Sequence, residues 1–152
     1  MTDYAKPLPP ITPEMAPFWE AARGQRLVVQ RCGGCGAYRF PARDLCSRCL
    51  SRAADWTPVS GRGAVFSFAV MHQVYHPGFA DDVPYAVVVV ELEEGARLVS
   101  NLVDCPLREV VIGMPVEVVF DQVTPEVTLP KFRPRSGPWS GPRSGPRSRP
   151  PR

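Results

Sequence analysis

Residues 32 to 49 read CGGCGAYRFPARDLCSRC, two C-x-x-C pairs separated by ten residues. The chain has five cysteines, and four of them stand here. Two sulfurs three residues apart can be offered to one ion by a single tight turn. Gly33, Gly34 and Gly36 suit such a turn, because its backbone N–H groups face sulfur and one residue takes a positive φ. The second pair completes a four-sulfur shell, and the intervening segment is long enough for a hairpin. The spacing therefore predicts that Cys32, Cys35, Cys46 and Cys49 bind one metal ion.

A four-thiolate shell has no open position, so it predicts a structural zinc ion rather than a Lewis acid. Iron in the same shell would make a rubredoxin-like electron carrier. The second knuckle, CSRCL, lacks the glycine that follows the first, and iron would leave the rest of the chain unexplained. Cys105 stands apart and reads as an ordinary thiol. His72 and His76 are the only histidines. They would share a face only if a strand ran through both. No Ser-His-Asp order, glycine-rich phosphate loop or paired acids in a helical context accompanies them, so the chain is expected not to be an enzyme on its own.

The opening MTDYAKPLPP has neither a basic n-region nor an apolar h-region, and the longest apolar run is YAVVVV. No membrane segment and a reducing, cytoplasmic setting are expected.

Charge is sorted along the chain. The net charge is +3, but residues 134–152 carry five arginines and no acid, which leaves −2 on the rest. Residues 23–52 hold seven arginines against Asp44 alone, and residues 81–126 hold ten acids against Arg97 and Arg108. An arginine cluster suits carboxylate or phosphate partners. Arg31, Arg39, Arg43 and Arg48 are therefore candidate contacts, with a merely solvated surface as the alternative.

Organisation follows from composition and periodicity. Residues 1–11 are proline-rich and predict an extended arm. Residues 12–24 predict a helix capped by Thr12, with Pro13 in its first turn and Gly24 at its end. Pro17 argues for a late start or a kink. Phe18 and Trp19 on this helix either dock a partner or pack on their own domain. Residues 25–55 form the metal ribbon, entered by a short strand in QRLVVQRC. The segment DWTPVSG reads as a loop. Residues 56–133 predict five strands: a long one from Gly63 to about Tyr75, then YAVVVVELEEG, ARLVSNLVDC, MPVEVVFDQVT and EVTLPKF. Five strands suit a small closed barrel, which removes sheet edges that a sandwich would leave. Residues 134–152, built on SGPR repeats, cannot form a core and are expected to be disordered.

The fold class expected is thus mainly β: a short N-terminal helix, a four-cysteine zinc ribbon and a five-stranded OB-fold barrel. FWEAA, LVVQRCGGCGAYRFPARDLCSRC, GRGAVFSFAVMHQ, PYAVVVVELEEGARLVSNLVD and IGMPVEVVF occur in this order from about Pro13 to Phe132. In that combination the chain resembles the DUF35 family. The resemblance implies the same helix, ribbon and barrel, with the four cysteines as zinc ligands. It also implies use as a non-catalytic partner subunit of thiolase-superfamily or related acyl-CoA enzymes, in lipid or steroid metabolism among other settings, with a CoA thioester as a ligand to be presented or channelled. Phe18, Trp19 and the ribbon arginines would then face that partner or CoA. The alternative is a nucleic-acid-binding module. It is disfavoured because a groove tracking a phosphate backbone should be basic and aromatic, whereas the barrel region is acidic.

Overall fold

A computed structural model describes residues 4–137. Helix α1 spans Ala16–Arg23, one turn later than expected from Thr12. Met15 is the residue at its N-terminus, and Pro17 lies in the first turn. A proline there loses nothing, since first-turn N–H groups have no helical acceptor. Thr12 does not cap the helix; its carbonyl accepts from Met15 N–H at 3.0 Å in a preceding turn. Gly24 ends the helix as expected, but the left-handed residue that closes it is the next one, Gln25. Gln25 has φ 55° and donates to Ala22 O, while Arg26 donates to Ala21 O.

Strands β1 (Val28–Cys32), β2 (Tyr38–Arg39) and β3 (Ala54–Pro58) form a sheet in the order β2-β1-β3. The segment expected as a loop is thus strand β3. Its five residues pair antiparallel with all five of β1. Its isolated pattern, Ala-Asp-Trp-Thr-Pro, carries little strand signal. Pairing with the buried β1 supplies what propensity does not.

Strands β4 (Arg62–Met71), β5 (Tyr85–Leu92), β6 (Arg97–Leu102), β7 (Pro115–Gln122) and β8 (Thr128–Pro134) close into a barrel in the order β4-β5-β6-β8-β7. These are the five strands read from the sequence, in an OB-type arrangement. Strand β4 ends at Met71 rather than near Tyr75, so His72 and His76 share no strand face. Instead His76 Nδ1 accepts from Gly78 N–H at 3.1 Å and caps a short 3₁₀ turn, Pro77–Phe79. Strand β5 alternates strictly: Ala86, Val88, Val90 and Leu92 point inward and are buried. A register shift between Val65 and Ser67 turns Phe66 outward, where the Arg97 guanidinium lies 3.6 Å from its ring centroid. Phe66 is therefore a surface residue and not part of an alternating core.

One apolar core runs through both parts. Phe18 of α1 and Leu27 and Val29 of the ribbon join Val65, Val88, Leu92, Val116 and Phe132 of the barrel in a single buried cluster. Residues of the proline-rich arm lie against the β4–β5 loop: Lys6 pairs with Asp82 and stands over the Phe79 ring. At the other end β8 continues to Pro134, and Arg135 N–H donates to Pro115 O at 2.9 Å. The SGPR repeats expected to be disordered lie almost wholly outside the described residues. No helix among the described residues is long and apolar enough to cross a membrane.

Phe132 is fully buried at the seam of β7, β8 and β6. Phe132→Ala should lower the free energy of unfolding by about 3–5 kcal/mol. Urea titration followed by circular dichroism measures it.

Candidate metal centre and the surface around it

The two C-x-x-C segments fold into the same knuckle. Cys32 O accepts from Gly36 N–H and Cys46 O from Leu50 N–H, both at 2.9 Å. Gly34 N–H donates to Cys32 Sγ at 3.3 Å, and Arg48 N–H donates to Cys46 Sγ at 3.4 Å. Gly36 has φ 71° and Leu50 φ 60°. The missing glycine after the second pair is thus replaced by a leucine held in the same left-handed conformation.

The four Sγ atoms lie within 4.8 Å of one another, with Cys32–Cys49 and Cys35–Cys46 at 3.6 Å. A zinc ion 2.3 Å from four tetrahedral sulfurs holds them about 3.8 Å apart. The sulfurs therefore fit a structural zinc ion, held by Cys32, Cys35, Cys46 and Cys49. The backbone prepares the thiolates. The Arg48 amide, helped by that of Cys49, brings Cys46 down to about 6, and the Cys35 amide lowers Cys32. At Cys49 the Ser51 amide pulls downward, but Cys32, burial and the other two thiols outweigh it and push the group up to about 11. Such opposed shifts mark four acids crowded into one shell, a conflict that a divalent cation removes. All four positions being sulfur, the ion crosslinks two knuckles and has no position for a reacting water.

The remaining candidate residues separate into two groups. Phe18 is 4% exposed and packs on Phe40 and Trp19, with ring centroids 4.9 Å away in each case. Arg39 is held within the ribbon: its Nε donates to Gln30 Oε1 and its Nη2 to Arg43 O, both at 2.8 Å. These two side chains are occupied inside their own fold. Arg31 is exposed and lies over the Tyr38 ring at 5.5 Å. Arg43 and Arg48 are exposed, as are Arg23, Arg26 and Arg52. Among the described residues none of the seven arginines between 23 and 52 makes an ion pair, whereas Arg62, Arg97, Arg133 and Arg135 of the barrel all do.

Trp19 is half-buried and lines a groove of about 320 Å³ between α1 and the barrel. Phe18, Trp19 and Phe40 form one wall. Residues Leu98–Asn101 of β6 and Leu129–Lys131 of β8 form the other. Sequence reasoning missed this groove. The available signal was Val99, which falls on the outward phase of β6 and is 70% exposed.

Comparison with known proteins agrees with this geometry. The family model described as the rubredoxin-like zinc ribbon domain of ChsH2 matches residues 19–55, and that of the ChsH2 C-terminal OB-fold domain matches residues 56–121. A DUF35 domain-containing scaffold protein of Methanocaldococcus jannaschii is 39% identical over 98 residues, covering 64% of this chain and 69% of that protein. A probable enoyl-CoA hydratase alpha subunit of Thermomonospora curvata is 43% identical over 128 residues, 84% of this chain. The match spans only 40% of that longer protein's length. Among solved structures, one described as an Ltp2-ChsH2(DUF35) aldolase superimposes with a TM-score of 0.75 at 43% identity, covering 84% of this chain and 98% of the matched one.

Cys46→Ser removes the thiol with the most depressed pKa and opens the shell. Zinc content by plasma mass spectrometry should fall from about one ion per chain to near zero, and thermal stability should fall with it. Retained stability in a zinc-free variant would deny the ion its structural role.

Proposed function

The chain belongs to the DUF35 family, and on that premise we propose that it is a non-catalytic accessory subunit which docks onto an acyl-CoA-processing enzyme. The observation that carries this reading is the 43% identity, over nearly the whole of the matched chain, to the DUF35 component of the Ltp2-ChsH2 aldolase structure. Other relatives carry compatible names: an enoyl-CoA hydratase alpha subunit, a benzoylsuccinyl-CoA thiolase subunit and several scaffold proteins. A thiolase-like subunit is the partner proposed. The bond-making residues then belong to that partner, which is consistent with the closed sulfur shell here.

Two local features support a role near a CoA thioester. The uncompensated arginines of the ribbon have the chemistry that holds phosphates or carboxylates. The groove beside Trp19 offers an apolar wall to an acyl chain. The ribbon's charge is fixed in place because α1 and β1 share the barrel's core. The protein thus presents a basic ribbon surface and, between α1 and the barrel, an apolar groove.

Purification of the tagged protein from its native cells, with nuclease treatment, tests the reading by mass spectrometry of what accompanies it. A near-stoichiometric acyl-CoA enzyme is expected. Recovery of nuclease-sensitive RNA or DNA without a protein partner would instead favour a nucleic-acid module. Arg43→Glu combined with Arg48→Glu should leave zinc content and thermal stability unchanged, since neither side chain makes an ion pair among the described residues, and should weaken the complex at least tenfold in a pull-down titration. Equal recovery would make those arginines an ordinary solvated surface.

A further inference from the structure

The two knuckles share one backbone but not one environment. Their residues correspond at a constant offset: Cys32 with Cys46, Gly34 with Arg48, Gly36 with Leu50. The first knuckle is lined with glycine because the chain passes close to it. A Cβ at Gly33 would meet the Ala53 Cβ at 3.0 Å, and one at Gly34 would meet the Ser51 Cβ at 2.9 Å. In the second knuckle side chains take the place of those glycines, and Ser47, Arg48, Cys49 and Leu50 are all exposed.

Leu50 is the anomaly. A branched, apolar residue occupies a left-handed position where glycine would be free of strain. Its side chain does little inside the fold, being 71% exposed. Leu45, on the other limb of the same turn, is 43% exposed. The limbs are tied together by Cys46 N–H to Ser51 O at 3.0 Å and Leu50 N–H to Cys46 O at 2.9 Å. Arg43, Arg48 and Arg52 each stand two residues from one of these leucines in the chain, exposed and without ion pairs among the described residues. Strain kept at an exposed position, with an apolar side chain as its product, points to a surface selected for contact and not for folding.

We infer that the second zinc knuckle is a docking knob, in which Leu45 and Leu50 enter an apolar pocket rimmed by carboxylates on the acyl-CoA-enzyme subunit. The inference rests on the accessory-subunit reading and names the surface that reading would use. An apolar centre inside a charged rim is the ordinary layout of a protein interface. The three arginines set the sign of the rim opposite and make association faster at low salt. Zinc holds the knuckle rigid, so little order is lost on binding.

Leu50→Gly separates docking from folding, because it relieves the backbone while deleting the knob. The probe is the acyl-CoA-enzyme subunit recovered with the tagged wild-type chain, purified and titrated against immobilised full-length variants by biolayer interferometry. Leu50→Gly is expected to keep its zinc and to match or exceed the wild-type Tm, yet to bind at least tenfold more weakly. Leu45→Ser should weaken binding in the same direction. Wild-type affinity in Leu50→Gly would overturn the knob and leave the accessory-subunit reading intact. A concentration-dependent dimer of the chain, abolished by Leu50→Gly, would assign the surface to a second copy and overturn the inference as well. If no enzyme subunit is recovered with the wild-type chain, the accessory-subunit reading fails and the knob fails with it.

Discussion

Four thiolates cannot occupy a volume less than 5 Å across unless a cation joins them. Much of the N-terminal half depends on that constraint. The ribbon has three short strands, one of them only two residues long, and no core of its own. Its two knuckles are held by sulfur and by backbone N–H groups aimed at sulfur. With the ion in place, residues 32–53 form a rigid loop pair from which Arg43, Arg48 and Arg52 face outward while Arg39 is bonded within.

The ribbon also depends on the barrel. Phe18 fills the space between Phe40 of the ribbon and the barrel wall, and Leu27 and Val29 continue the same buried cluster. An element that could have been a free docking helix is a wedge. Its consequence for function is geometric. The basic surface, the groove beside Trp19 and the barrel's outer face keep fixed relations through that shared core, as the docking role proposed above requires.

Charge bookkeeping by segment overstates the barrel's acidity and describes the ribbon well. Five of the ten acids from 81 to 126 meet a cation brought close in space: Asp82 with Lys6, Glu91 with Arg97, Glu93 with Arg62 and Arg135, Glu117 with Arg133, Asp121 with Lys131. Each such exposed pair contributes little to stability, on the order of 0–1 kcal/mol. Together they offset only part of the stretch's acidity, and Asp81, Glu94, Asp104, Glu109 and Glu126 make no ion pair among the described residues. Among the described residues the ribbon arginines gain no such partners, so their excess survives folding there.

The sequence by itself determined the metal shell, the five barrel strands and the family. Each rests on short-range rules: ligand spacing within one turn, alternation of period two along β5, and motifs in fixed order. Tertiary structure decided the rest. Ala54–Pro58 became a strand because β1 lay beside it. Phe18 went inside because ribbon and barrel left a space of its size. Arg39 was consumed by Gln30, and Leu50 took a glycine's conformation because the second knuckle copies the first. These outcomes depend on residues far apart in the chain meeting in space, which local propensity and segment charge do not record.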